Sequence, residues 1–281
     1  MSDTVRAALR QRREQFLCAY AHARCYVRVV DASERVSRLV ETLRRDGHVE
    51  VTRAAAELGA AEMTIRRDLD QLVERGVARR VRGGAVNLLM RGEELPFAMR
   101  EIEAVDAKRR IAAVVADLIG DGEAVGLDSG TTVTETARAL AGRRVTVMPL
   151  SLHAATALAA GSAVRLMMPG GECRPGELAM VGPLALASIA AVRFDTVVLG
   201  CCGVSPEGHV MAHDLGDAAV KQALVASATR SVLAVDGAKF GRSAMAVVRE
   251  LSAFDVVVTD AAAPDAVVAT LLASGVEVLR A

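Results

Sequence analysis

Four short stretches carry side chains suited to holding a small anion. Asp128-Ser129-Gly130-Thr131-Thr132 combines a carboxylate, three hydroxyls and a flexible glycine at the entry of a predicted helix, where free backbone N–H groups favour phosphate. The same composition also serves as an ordinary helix cap. Pro169-Gly170-Gly171-Glu172-Cys173-Arg174 brings a cation on a Gly-rich loop. Gly200-Cys201-Cys202-Gly203 follows an apolar run, and Asp236-Gly237-Ala238-Lys239-Phe240-Gly241-Arg242 follows another. Asp214 and Lys221 are seven apart, one face of a helix. Loops of this kind converging on one pocket would bind a small phosphorylated molecule.

A second group of residues suits a polyanion. Met63, Thr64, Arg66 and Arg67 lie near the start of a predicted helix, off the face formed by Ile65, Leu69 and Leu72. Arg79, Arg80, Arg82, Gly83 and Gly84 follow in a predicted hairpin, and Thr52 opens the preceding helix. Arginine pairs with guanine edges or phosphate, and threonine reaches either. A solvated basic face on a small helical domain is the plainer alternative.

Both groups need elements to position them. Val36, Leu39, Val40 and Leu43 are spaced for one face of a helix over 34–45, with Ser33 as its expected N-cap and Gly47 at its end. A short extended piece over 49–51 precedes a helix over 53–58 that Thr52 caps. A third helix covers 62–75, and two short strands lie within 77–86. Two helices, a Gly-containing turn, a basic helix and a hairpin describe a winged helix-turn-helix. Residues 89–106 read as a connector, followed by an amphipathic helix over 107–119.

Beyond residue 123, apolar runs at 124–127, 145–148, 164–168, 196–199, 232–235, 256–259 and 276–279 alternate with helical stretches at 131–140, 151–160, 178–191, 214–228 and 264–273. That alternation predicts an α/β domain with a largely parallel sheet. The expected organisation is a leader over 1–30, a winged helix-turn-helix over 31–88, a connector over 89–106 and an α/β domain over 107–281. The leader reads either as an extra helix or as sequence upstream of the true start.

Composition narrows the function. The chain has 281 residues, 52% of them hydrophobic, and 34 basic residues against 34 acidic ones, which excludes disorder and disulfide-scaffold classes. The neutral total conceals an uneven distribution. Residues 1–91 hold 18 Arg and 12 acids, a balance of +6, so the remainder carries −6. Without residues 1–30 the N-terminal balance is only +2, so the placement of individual arginines matters more than their sum. Two Tyr, five Phe and no Trp argue against a stacking platform for single strands. No apolar run reaches the ~18 residues of a membrane span. The apolar segment 16–23 is too short and too close to Arg24 and Arg28 for a signal peptide. Five cysteines without regular spacing suit a reducing compartment, the cytoplasm.

The stretch from Glu57 to Val86, above all Thr64-Ile65-Arg66-Arg67-Asp68-Leu69 and Arg82-Gly83-Gly84-Ala85, resembles the DNA-binding signature of the DeoR family of bacterial transcriptional regulators of sugar metabolism. GLDSGTT at 126–132, MPGGECR at 168–174, HDLGDAAVK at 213–221 and VDGAKFGRSAM at 235–245 resemble its effector-sensing domain, in the same order. The resemblance implies an α/β protein in which a winged helix-turn-helix precedes a sensor domain similar to ribose-5-phosphate isomerase and CoA transferases. It implies that double-stranded operator DNA is the partner, that the chain forms a homo-oligomer (dimer or tetramer), and that a phosphorylated sugar is the effector releasing a repressor from a carbohydrate catabolism operon. Asp128, Ser129, Gly130, Thr131 and Thr132 would form one side of the effector site. Gly170, Gly171, Gly203, Asp214, Lys221 and Lys239 would line the rest, with Arg174 as a further cation. Two departures stand out. Ala61 takes the place of a helix-capping Ser, partly offset by Glu62 at the positive end of the helix. Pro149-Leu150 takes the place of a polar Thr-Asn pair, leaving Ser151 as the polar group there.

Several alternatives carry less. His209 and His213 fit one face of a strand and lack a third ligand, so no metal site is expected. Cys201 and Cys202 suit buried thiols better than a redox pair. Lys221, Lys239 and Asp214 could support sugar-phosphate isomerase or transferase chemistry, but an attached DNA reader favours sensing over turnover. No enzyme activity and no cofactor are expected.

Overall fold

Val36, Leu39, Val40 and Leu43 are all buried, and the helix they define, α1 (Ala32–Asp46), ends on Gly47 in a left-handed conformation. The computed structural model describes residues 31–88 and 95–281, so the leader over 1–30 and part of the connector lie outside the described residues. The chain divides into two units, Met1–Leu88 and Leu89–Ala281.

In the first unit, α1 starts two residues earlier than the apolar spacing suggested. Its N-cap is Asp31, whose carboxylate accepts a bond of 2.8 Å from the Glu34 amide, and Ser33 lies inside the helix. Strand β1 (His48–Glu50) leads into α2 (Val51–Leu58). The expected cap at Thr52 is not observed. Val51 is buried and already helical, so the boundary falls on Glu50, which makes no side-chain cap bond. Helix α3 (Glu62–Glu74) follows the turn at Gly59. Strands β2 (Ala78–Val81) and β3 (Gly84–Asn87) form the hairpin, and β1 joins it in an antiparallel sheet of order β1-β3-β2. Leu39, Leu43, Ile65, Leu69 and Leu72 fill the space between helices and sheet with at most 1% exposure. An ion pair of 2.5 Å from Arg35 to the buried Asp68 ties α1 to α3.

The second unit begins with a short helix, α4 (Phe97–Glu101), inside the stretch expected to be a plain connector, followed by α5 (Val105–Leu118). Strand β4 (Ala124–Leu127), α6 (Thr131–Leu140), β5 (Thr146–Pro149), α7 (Leu152–Ala159) and β6 (Arg165–Leu166) come next. A small hairpin, β7 (Glu172–Arg174) and β8 (Ala179–Val181), precedes α8 (Pro183–Ala190). Here the expected helix over 178–191 is corrected. Gly182, at φ 88°, and Pro183 at the first helical position start the helix late, leaving 179–181 to pair with 172–174. Strand β9 (Phe194–Leu199) leads to a second antiparallel group, β10 (Gly203–Val204) and β11 (His209–Ala212). Helix α9 (Leu215–Ala226) and β12 (Ala228–Ala234) follow, and β13 (Ala246–Glu250) pairs with β11. The chain closes with β14 (Val256–Thr259), α10 (Asp265–Ala273) and β15 (Glu277–Arg280).

The seven apolar runs expected to be strands form one parallel sheet of order β15-β14-β12-β9-β4-β5-β6. Alternate residues supply two cores. Val198, Val232 and Val258 pack with α5, α6 and α7, whereas Val197, Leu199, Leu233 and Val257 pack with α8 and α9. The chain runs outward from β4 to β6, returns to β9 on the other side of β4, and then runs outward again. The boundary between β4 and β9 is therefore the point where the winding direction reverses, and in such sheets it opens a crevice at the carboxyl ends of the strands.

Candidate functional sites: a nucleic-acid face and an anion pocket

In the first unit, α3 buries Ile65, Leu69 and Leu72 and turns Met63, Arg66 and Arg67 outward, Met63 with 57% exposure. Thr64 is half-buried beside them. Arg66 is engaged by Glu62 one turn earlier, at 2.9 Å. Arg80 leaves the hairpin to bond Asp70 at 2.7 Å and the Arg66 carbonyl at 2.7 Å, bracing β2 against α3. Arg67, Arg79 and Arg82 are exposed and have no carboxylate within 4.0 Å among the described residues. Exposed cations of this kind are suited to contact phosphate. Thr52 stands beside the start of α3, its hydroxyl 3.3 Å from Glu62 Oε1. The two hairpin glycines differ. Gly83 makes the turn at φ 82°, whereas Gly84 is buried, and a Cβ there would lie 1.9 Å from the Val49 carbonyl oxygen. Gly84 thus lets β3 approach β1.

In the second unit, the crevice at the β4/β9 boundary is built from the loops after those strands. Asp128 follows β4, and its Oδ2 accepts from the Gly200 amide after β9 at 3.0 Å and from Lys221 of α9 at 2.5 Å. Lys221 also lies 3.2 Å from Asp217, and all three side chains are at most 5% exposed. Burial alone would lower the Lys221 pKa, but Asp128 and Asp217 outweigh it and hold the ammonium protonated. Asp128 Oδ1 is buried without a partner.

Above this charged floor, α6 points its N-terminus into the crevice. Gly130 caps it at φ 106°, a conformation that favours glycine. The first helical bond runs from the Thr134 amide to the Gly130 carbonyl at 2.9 Å, so the amides before Thr134 have no intrahelical partner. The resulting pocket, about 30 Å³, is lined by residues 129–133, by 200–202, and by Lys221 and Lys239. Lys239 sits on a single helical turn after β12 and has no carboxylate within ion-pair distance among the described residues. A helix N-terminus, hydroxyls and an unpaired ammonium can hold a phosphate.

The structure brings Ser129, Gly130, Thr131, Thr132, Arg174, Lys221 and Lys239 to this pocket. Asp128 lies directly beneath it as the anchor of Lys221. The other expected residues have different surroundings. Ser151 caps α7, its hydroxyl accepting from the Ala154 amide at 3.2 Å. Gly170 donates its amide to Ser188, and a Cβ on Gly171 would crowd Val181 and Ala185. Gly203 faces the Arg242 backbone. Asp214 caps α9 and pairs with Arg174, steering that guanidinium. Burial works against ionisation of Asp214, but the Asp217 amide and Arg174 hold its carboxyl below the usual range. Pro149 and Leu150 are buried, with the Leu150 amide bonded to the Leu127 carbonyl at 2.7 Å.

Sequence reasoning missed Arg100, Glu177 and Asp217, which also line the pocket. Arg100 comes from α4, Glu177 from the turn between β7 and β8, and the two form a buried ion pair. Nothing in their local spacing marks them, because the pair joins residues 77 apart.

A winged helix-turn-helix and a parallel α/β unit with a candidate anion pocket at its switch point define the class of a DNA-binding regulator with a sensor domain. The description "DeoR-like helix-turn-helix domain" matches residues 35–88, and "DeoR C terminal sensor domain" matches residues 103–261. The chain belongs to the DeoR family of transcriptional regulators, and it is a regulator, not an enzyme. It is 30% identical over 240 residues to the glycerol-3-phosphate regulon repressor of Escherichia coli K12, covering 85% of this chain and 95% of that protein. It is 31% identical over 255 residues to a putative aga operon transcriptional repressor of Escherichia coli O157:H7, covering 90% and 95%. Among solved structures, ribose 5-phosphate isomerase of Methanocaldococcus jannaschii aligns with 48% of this chain and 54% of its own at 18% identity and a TM-score of 0.37. No helix among the described residues is long and apolar enough to cross a membrane.

Proposed function

We propose that this chain represses a carbohydrate catabolism operon from the cytoplasm and leaves its operator when a phosphorylated sugar occupies the pocket at the β4/β9 boundary. The observation that carries this reading is the unpaired Lys239 lining the same pocket as the N-terminus of α6. Phosphate binds the α6 amides, the Thr131 and Thr132 hydroxyls and Lys239, while Lys221 is held beneath by Asp128. Residues 31–88 form the DNA-binding domain, 89–106 the connector and 107–281 the sensor. The repressor names of the relatives support the direction of control.

On DNA, Arg67, Arg79 and Arg82 contact phosphates, and Thr64 and Arg66 at the start of α3 face base edges. Recognition helices read palindromic half-sites in pairs, so the working form is a homo-oligomer, a dimer or tetramer. The effector binds the DNA-free state more tightly, and by linkage DNA weakens effector binding equally. Fluorescence anisotropy with the DNA upstream of its own gene, with and without a panel of pentose and hexose monophosphates, tests the reading. Sequence-specific binding reversed by one of them supports it. Absence of specific binding at every salt concentration, or binding that none of them alters, overturns it.

A further inference from the structure

Arg100 and Glu177 both line the pocket, and their ion pair leaves only 8% and 13% of their side chains exposed. The arginine is firmly held. Its Nε donates to the Leu95 carbonyl at 2.9 Å, and its guanidinium lies 5.8 Å from the Phe97 ring. Phe97 in turn stacks on His153 with ring centroids 3.7 Å apart and planes 6° from parallel. The carboxylate is mounted differently. Glu177 sits on the turn joining two three-residue strands, between Gly176 at φ 82° and Leu178 at φ 49°. The left-handed region is disfavoured for a residue with a Cβ, so this turn is strained where the arginine's mount is not.

The Glu177 carboxylate thus rests on a buried guanidinium in a pocket that also offers a helix N-terminus and the unpaired Lys239, while the other lining carboxylate, Asp217, is held by Lys221. We propose that Glu177 is a displaceable resident anion of the pocket and that Arg100 is a ligand-binding residue, exposed when an anionic group of the bound ligand displaces the Glu177 carboxylate. The proposal rests on the reading of this pocket as a phosphorylated-sugar site and adds to it a receptor for the anion and a built-in competitor that limits affinity. Exchange of one anion for another leaves the guanidinium paired in both states, and the freed carboxylate moves into water on its short turn. Arg100 also belongs to α4, the first described helix of the second unit.

The test is isothermal titration of the full chain with inorganic phosphate and with the same panel of sugar monophosphates, comparing wild type with Glu177→Gln, Glu177→Asp and Arg100→Gln. Removal of the competing charge in Glu177→Gln tightens binding by about tenfold or more, as expected for loss of a charge-assisted contact that opposes the ligand. Glu177→Asp, which keeps the charge, stays near wild type, and Arg100→Gln weakens binding by at least about tenfold. If Glu177 merely braced its hairpin, Glu177→Gln would loosen the pocket and weaken binding, so the sign separates the two roles even where Arg100→Gln fails to fold. Wild-type binding that Glu177→Gln leaves unchanged or weakens overturns this inference and spares the functional reading. Failure of both wild type and Glu177→Gln to bind any of the anions overturns both.

Discussion

Lys221 and Asp128, 93 residues apart in the chain, meet at 2.5 Å beneath the pocket, with Asp217 3.2 Å from the same ammonium. One buried cation thus joins α9, β4 and the Gly200 loop. Lys221→Met would leave two carboxylates buried without it, and we expect a loss of about 3–5 kcal/mol of stability with no ligand present. Asp128→Asn keeps a carbonyl oxygen for the Gly200 amide and leaves Lys221 paired with Asp217, so its loss is smaller. Urea unfolding followed by circular dichroism measures both. A Lys221→Met protein as stable as wild type would mean that the cluster is not a structural anchor.

Lys239 gives the contrasting case. It is half-buried at the pocket and holds no carboxylate among the described residues, so Lys239→Met should leave the unfolding midpoint within about 0.5 kcal/mol of wild type. The same substitution should abolish the thermal stabilisation produced by sugar monophosphates. Normal ligand stabilisation in this variant would remove Lys239 from the site.

Lys108 makes stability depend on alkaline pH. Its ammonium is buried against the carbonyls of Arg100 and Glu103, and burial pushes its pKa from 10.5 down to about 8. Between those values the folded chain binds fewer protons at this site than the unfolded chain. The contribution of Lys108 to stability therefore rises with pH across that window, by roughly 3 kcal/mol in all. Subtracting the pH profile of Lys108→Met from that of wild type isolates it, and a flat or falling difference between pH 8 and 10.5 would contradict the assignment.

On the DNA-binding face, arginines that are already paired should behave differently from those that are not. Arg67→Ala or Arg82→Ala should weaken binding on all sequences alike and lower the salt slope by about 0.9 each, the loss of one phosphate contact. Arg80→Ala should in addition destabilise the first unit, because it removes the brace from β2 to Asp70 and the Arg66 carbonyl. Anisotropy titrations across a range of salt, alongside thermal unfolding, distinguish the two classes.

The recognition helix lacks a side-chain cap at Ala61. Ala61 already has the extended backbone of an N-cap, at φ −67° and ψ 143°. Ala61→Ser should therefore stabilise the first unit by about 1 kcal/mol, measured as a rise in its melting temperature. An unchanged or lower value would show that the serine hydroxyl does not reach the free amides.

The elements of this protein were legible in its sequence wherever local periodicity decides. The apolar runs at 124–127 and 256–259 are strands with those bounds, and the spacing of Val36, Leu39, Val40 and Leu43 marks α1. Local patterns also identified the DSGTT turn that meets the pocket, since a glycine and hydroxyls at a helix entry announce themselves. Where neighbouring signals competed, local reading failed. Thr52 looked like a cap until the burial of Val51 moved the helix start, and 178–181 looked helical until Gly182 and Pro183 divided it.

What the amino-acid order determined by itself was therefore the alternation of the seven parallel strands with their main helices, the two-unit organisation and the family, but not α4, the β7/β8 hairpin or the β10–β11–β13 group. What only tertiary structure decided was which charges are free. Arg66, Arg80, Asp128, Asp214 and Lys221 all carried the right chemistry for contact, yet each is paired within the fold, while Arg67, Arg82 and Lys239 are not. Pairing depends on distances between residues remote in sequence, and a charge taken from water must find its partner wherever the packing of the sheet and its helices brings one within reach.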